Sequence, residues 1–252
     1  MQAVKDASPT KRLRLQRLAG TLRRRDWLGL LFEILVVTLG VLLAFEIEQW
    51  GQRRERREQE RQFMEELYTD TRTGIPELKE LIAIHDKVLR DVPLALEARG
   101  NPAKIAALPR GRGFGCGLTR PLPAPYNDTA YDELIQSGRL SLLSNQRLRK
   151  AIRDLAASQK WGASQDEFYR DQVTMNLPPL TPFYHVNVSR DSDIQCTIEW
   201  SQLLANDAAA DATTRMLRRH RVMWQVRRST LGRTILAQQM LACELGKPEC
   251  RR

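Results

Sequence analysis

The sequence predicts an all-α protein: one N-terminal transmembrane helix continuing into a periplasmic helical bundle. Three observations predict it. From Trp27 to Phe45, nineteen residues carry Glu33 as their only charge, and a helix of that length extends about 28 Å, close to the hydrocarbon thickness of a bilayer. Beyond that run, apolar residues recur at helical spacings of three and four. No stretch shows a sustained period of two with β-branched residues, and no internal repeat is present. Three regions follow: a basic cytoplasmic tail at 1–26, a transmembrane helix at 27–49 and an extracytoplasmic helical domain at 50–252.

In the tail, Leu15, Leu18 and Leu22 lie at helical spacing among arginines, the pattern of a short amphipathic helix on the cytoplasmic leaflet. The tail holds eight basic residues against Asp6 and Asp26, so six of the ten excess positive charges of the chain precede the span. Such a bias places the N-terminus in the cytoplasm. Arg53, Arg54, Arg56, Arg57 and Arg61 beyond the span oppose it, interleaved with Glu55, Glu58 and Glu60. The sequence after the apolar run, AFEIEQWGQ, offers no small-x-small cleavage site, so the run reads as an uncleaved anchor.

After the span the helix continues into water to about residue 73, with Phe63 and Leu67 on its apolar stripe, and Gly74 and Pro76 predict a break or bend. Leu78, Leu81, Ile82, Val88 and Leu89 define the next helical face, which ends at Gly100. Residues 100–126, with GRGFGCG and RPLPAPY, read as loop. NDTAYDELIQSG reads as a short helix capped by Asn127 or Asp128 and stopped by Gly138. A longer helix is capped near Ser144, carries Leu148, Ile152 and Leu155, and runs to about Asn176. Leu177 to Gln195 reads as a second loop, and a final helix from about Asp207 to Leu245 carries Leu217, Trp224 and Leu231 in heptad register.

The four cysteines lie entirely on the C-terminal side of the span, as an oxidising compartment there would require. Three pairings of the four are possible; Gly246 and Pro248, which allow a reversal, favour Cys243 with Cys250 and so Cys116 with Cys196, the alternative being four reduced cysteines.

The stretch EILVVTLGVLLAFEIEQW, between a basic tail and a charged helix, resembles the signature of a bacterial family of single-span inner-membrane proteins of unknown function. Glu33, Ile34, Gly40, Ala44 and Trp50 carry the resemblance. The second block, TAYDELIQSGRLSLLSNQRLRKAI, is similar to the family's other recognisable segment at Tyr131, Leu134, Ser137, Gly138, Leu140, Asn145 and Leu148. The two blocks cover about a quarter of the chain, and Glu46-Ile47-Glu48-Gln49 departs from the neutral amides the family places there. The resemblance implies an anchor bearing an extracytoplasmic helical domain, and it brings no catalytic residues.

Within the span, Glu33, Val37, Gly40 and Ala44 follow one another along one helix face, where a small-xxx-small pair admits a second helix. That face is the expected contact with another copy or with a partner membrane protein; alternatively Glu33 reaches toward the headgroups, where Arg24 or Arg25 pairs with it. RMLRRHRVMWQVRRSTLGR is basic, but its arginines read as a solvated face and as partners for Glu65, Glu66 and Asp70, with Trp224 in the core. No nucleic acid is therefore expected, and the bilayer is the expected partner.

GRGFGCG lacks the strand and the Lys-Ser or Lys-Thr ending of a P-loop. His85, His185 and His220 form no metal-spaced set, Asp132 and Glu133 read as capping and surface carboxylates, and no nucleophile elbow or zinc-peptidase motif occurs. No catalytic, cofactor-binding or metal-ligating residue is assigned, and no cofactor. The expected role is interaction, scaffolding or sensing. The alternatives are an enzyme whose site assembles from distant residues, around Tyr126 to Gly138, and a membrane-tethered nucleic-acid binder.

Overall fold

The structure, a computed structural model, describes residues 27–109, 113–120, 122, 124, 137–188 and 194–250. The helices expected within 1–26 and over NDTAYDELIQSG lie outside the described residues, apart from Ser137 and Gly138. The described chain is mostly helical: α1 (Trp27–Glu97), α2 (Pro102–Ala106), α3 (Gln146–Asn176), α4 (Trp200–Ala205) and α5 (Asp207–Glu244). One small antiparallel sheet pairs β1 (Tyr184–Val188) with β2 (Ile194–Ile198).

Two compact units divide between Glu58 and Gln59. In the first, the apolar part of α1 is long and apolar enough to cross a membrane, with an eighteen-residue window of mean hydropathy 2.4 and none of that window buried. Trp27, Phe32, Val37, Leu43 and Ile47 are all exposed, and Glu33 is the one charge among residues 27–45. At its C-terminal rim the acids are locally engaged: Arg53 reaches Glu46 at 3.4 Å, Gln52 donates to Glu48 at 3.4 Å, and Arg54 lies over the Trp50 ring at 5.8 Å.

The second unit is built on α1 from Gln59 onward, α3 and α5. Phe63, Leu67, Leu148, Ile152, Leu155, Ala237 and Leu241 form one apolar cluster. Val88, Val92, Tyr169, Val173, Met216 and Met223 form another, closed by Phe114, Leu118, Trp200 and Leu203. These groupings run α1 and α3 in one direction and α5 in the other. The antiparallel course also corrects the expected ion pairs. It sets the start of this unit's α1 level with the end of α5, so Glu65 pairs with Lys247 at 2.9 Å and Glu66 with Arg139 at 3.6 Å, out of reach of the arginines around Trp224.

Four further expectations change. Helix α1 does not break at Gly74 and Pro76 but continues through Pro76 and Pro93 to Glu97. A helical proline costs about 3 kcal/mol, and the common buried face of Leu67, Thr71, Leu78, His85, Val88 and Val92 outweighs it. Thr71 also returns its hydroxyl to the carbonyls of Leu67 and Tyr68, and Thr73 to that of Asp70. The cap of α3 is Asn145 rather than Ser144: its Oδ1 accepts from the N–H groups of Arg147 and Leu148 at 2.8 and 3.2 Å. Ser144 instead binds Glu60 through its backbone N–H and its hydroxyl.

The segment Leu177 to Gln195 is not wholly loop, because Tyr184–Val188 and Ile194–Ile198 pair in register with Tyr184 opposite Ile198 and Val186 opposite Cys196. On α5 the buried heptad stripe is Met216, His220, Met223, Arg227, Thr230, Thr234, Ala237 and Leu241, one position before Leu217, Trp224 and Leu231, which are half-buried. The core face of this helix turns polar at its middle.

Residues 113–120 fold tightly against α1, β2 and α4. Gly113 donates its N–H to Cys196 O at 3.1 Å, and Cys116–Thr119 make one 3-10 turn. Gly113 and Gly115 both have positive φ, at 89° and 74°. A Cβ on Gly113 would meet nothing within 4 Å, whereas one on Gly115 would lie 2.5 Å from Trp200 Cζ2. Gly113→Ala should therefore lose only the left-handed preference, about 1 kcal/mol, and Gly115→Ala about 1–3 kcal/mol more. Thermal unfolding of the full chain in mild detergent, followed by near-UV circular dichroism, measures the difference; equal losses would show that Trp200 yields freely.

Candidate functional site

The polar middle of the bundle is one connected network. Arg227 of α5 is wholly buried, and its Nη2 donates to Asp166 Oδ1 of α3 at 2.9 Å and to Leu122 O. Asp166 is 7% exposed, and its other oxygen accepts the Ala124 N–H at 2.9 Å. A guanidinium and a carboxylate buried together are tolerable because each has hydrogen bonds beyond the pair. Arg227 Nη1 lies 2.8 Å from His85 Nε2 of α1, and His85 Nδ1 lies 2.8 Å from His220 Nδ1 of α5. His220 Nε2 lies 2.9 Å from both Leu118 O and Tyr169 Oη, and that hydroxyl reaches Arg120 O at 3.2 Å.

The chemistry of the two ends fixes every proton between them. A guanidinium only donates, so His85 Nε2 accepts and its hydrogen sits on Nδ1. That N–H donates to His220 Nδ1, which leaves the second ring's hydrogen on Nε2, facing the Leu118 carbonyl, an acceptor only. Both imidazoles are neutral in this arrangement. Burial holds them so: it lowers His85 from 6.5 to about 2, reinforced by His220 and Arg227, and lowers His220 to about 4 against the opposing bond to Leu118. Burial likewise raises the Tyr169 hydroxyl, so it remains a donor to Arg120 O.

Leu118, Arg120 and Leu122 thus present every second carbonyl to side chains of α3 and α5, much as an edge strand presents carbonyls to a neighbour. The other side of the same loop walls a cleft of about 540 Å³, within the range of small-molecule sites. Gly113, Gly115, Cys116, Gly117, Thr119 and Arg120 line it from the loop, Ile84, Lys87, Val88 and Asp91 from α1, and Tyr184, Val186 and Cys196 from the hairpin. The loop approaches α1 closely at Gly117, where a Cβ would lie 2.7 Å from Val88 Cγ2. Cys116 is disulfide-bonded to Cys196 across the cleft, with Cα atoms 5.9 Å apart, and Cys243 to Cys250, 4.6 Å apart. None of His85, Asp166, Tyr169, His220 or Arg227 lines the cleft. A second cavity, of about 720 Å³, lies between α2 and α4, beside Ile105, Leu108, Ile198 and Trp200.

Of the residues considered from the sequence, His85 and His220, which had no metal-like spacing, meet in the network, Gly113, Gly115 and Gly117 of GRGFGCG and the cysteines Cys116 and Cys196 line the cleft, and the others fall elsewhere. Glu33, Val37, Gly40 and Ala44 are exposed on the first unit, and nothing lies within 4 Å of a Cβ on Gly40. Tyr131 and Leu134 lie outside the described residues. Gly138, with φ 69°, precedes the 3-10 turn Arg139–Leu142; Asn145 caps α3 and donates to Glu244 at 2.5 Å. His185 pairs with Glu199 at 2.7 Å at the surface. Of the arginines of α5, Arg215, Arg218, Arg221, Arg228 and Arg233 are exposed as expected, with Arg215 donating to Asn176, Arg219 stacked on Phe168 and Arg228 on Trp224, whereas Arg227 is internal. The network was missed because it joins residues up to 142 positions apart, and the one signal in sequence was the polar run on the heptad stripe of α5.

Among the described residues the chain is mostly helical, with one helix long and apolar enough to cross a membrane. No family model, no curated protein and no solved structure matches it.

The depressed histidines make stability pH-dependent with a defined sign. Below pH 6.5 the unfolded chain takes up protons that the folded imidazoles refuse, so the folded state loses about 1.4 kcal/mol per pH unit for each histidine until its folded value is reached. This contribution is complete above pH 6.5 and falls between 6.5 and 4, and His85→Gln should roughly halve the slope in urea unfolding of the full chain; an unaltered slope would refute the neutral pair. Asp166→Leu strands a buried guanidinium and should cost about 3–5 kcal/mol. The double variant Asp166→Leu/Arg227→Met should recover part of that loss in the same assay, and no recovery would show that the pair is not the cause.

Proposed function

We propose that the protein is a bacterial single-pass inner-membrane protein, N-terminus in the cytoplasm, whose periplasmic helical domain is a binding or sensory module rather than an enzyme. The observation that carries this reading is the separation of chemistry from access. The five titratable side chains that converge are buried and locked onto one another, while the accessible cleft is walled mostly by glycine, aliphatic side chains and a disulfide, and the carboxylate that lines it, Asp91, is already taken up by Lys87 and the Gly115 N–H. An enzyme working by proton transfer needs its acid or base within reach of the bound molecule; a binding module needs a preformed concave surface with a few polar groups.

Three features support the placement. The exposed apolar helix of the first unit suits lipid, the basic excess before it suits the cytoplasmic side, and two disulfides suit an oxidising compartment. The resemblance of Glu33, Ile34, Gly40, Ala44 and Trp50 to the single-span family points the same way. The stripe through Gly40 is then open to a second copy or a partner span. The test is topological. Alkaline phosphatase fused after Arg252 should be active and green fluorescent protein at the same position dark; the converse would place the domain in the cytoplasm and reopen the nucleic-acid reading.

A further inference from the structure

The cleft also carries information about what it takes, and this step rests on the reading of the domain as a binding module. Three ionic groups stand at it. Asp91 is engaged within the protein: its Oδ2 accepts Lys87 Nζ at 2.7 Å and the Gly115 N–H at 3.1 Å, and its side chain is only 15% exposed. Lys87 also donates to Gly113 O at 2.8 Å, yet half of its side chain remains open to solvent. Arg120 is exposed and has no acidic partner among the described residues. Among the described residues the lining therefore carries one net positive charge, placed on the Arg120 guanidinium, with the Asp91 carboxylate already satisfied.

Apart from Thr119 and Tyr184, the remaining side chains of the wall are apolar: Ile84 and Val88 of α1, Val186 of β1 and the disulfide. We propose that the cleft binds a small organic carboxylate with an apolar body. The anion meets Arg120 and Lys87, the body lies against Ile84, Val88, Val186 and the disulfide, and the volume of about 540 Å³ limits it to a single small molecule.

A matched series tests charge at constant shape: 4-phenylbutyrate, its neutral amide and 4-phenylbutylamine, in equilibrium dialysis against the full chain in lipid nanodiscs, with empty nanodiscs subtracted. The carboxylate should bind saturably at one site, the amide about tenfold more weakly, the worth of one charge-assisted hydrogen bond, and the amine not at all. Arg120→Gln keeps the backbone carbonyl that Tyr169 uses and should weaken the carboxylate about tenfold while leaving the amide unchanged. Val186→Trp, at an exposed wall position, should block both. Should the amide or the amine bind as tightly as the carboxylate, the anion preference is overturned and the binding-module reading stands. Should no member bind to protein whose near-UV spectrum is native, the proposal is overturned, and the fusion experiment above still judges the placement of the domain independently.

Discussion

The buried guanidinium of Arg227 is the group on which the arrangement of the bundle depends. It cannot lose its charge and has no access to water, so the surrounding chain must supply acceptors. Asp166 of α3, the ring nitrogen of His85 on α1 and the carbonyl of Leu122 do so. Each acceptor comes from a different element, which ties two further helices and the loop to α5 at one point. The directionality of donors and acceptors then propagates outward and assigns a single tautomer to each histidine. A polar layer of this kind adds little net stability compared with an apolar one; it fixes which residues lie opposite which, because a shifted register would leave a charge unpaired.

That layer has its structural effect on the loop from Gly113 to Ala124. A glycine-rich segment has little apolar surface with which to hold itself in place, and its carbonyls would otherwise require water. Bonded from behind by His220, Tyr169 and Arg227, from one side by the Cys196 carbonyl and covalently through Cys116, its described residues form a wall fixed at Gly113, Cys116, Leu118, Arg120 and Leu122. Rigidity matters for binding because ordering a flexible wall would subtract from affinity. The histidines thus position the boundary of the cleft without lining it.

Much of this architecture was legible in the sequence, and the limits have physical causes. The apolar run at Trp27–Phe45 and the spacing of Leu148, Ile152 and Leu155 announce helices because burial or lipid contact selects one residue class at a fixed period. Pro76 misleads, since a local penalty is outvoted by packing on both sides of it. The stripe of α5 misleads for the opposite reason: Leu217, Trp224 and Leu231 keep the period, but the buried positions beside them are His220, Arg227 and Thr234, which become admissible only through partners contributed by distant segments. The hairpin had a signal, the alternation of Tyr184, Val186 and Val188 against Ile194, Cys196 and Ile198, yet five residues is too short a run to stand out from loop sequence. The cleft was not legible at all, because it is a space between three segments that only the folded chain brings together.

The order of the cysteines along the chain has a consequence for biogenesis. Each bonds to the next one in sequence, first with second and third with fourth, so the earlier ring, 80 residues in separation, is complete before the later one begins. A polypeptide meeting an oxidant progressively from its amino end would acquire both native bridges by pairing neighbours as they emerge, with no shuffling by an isomerase. The larger ring encloses the whole of α3 and removes about 4–5 kcal/mol of loop entropy from the unstructured state, so on such a route the element that supplies Asp166 and Tyr169 would be tethered before α5 arrived with Arg227.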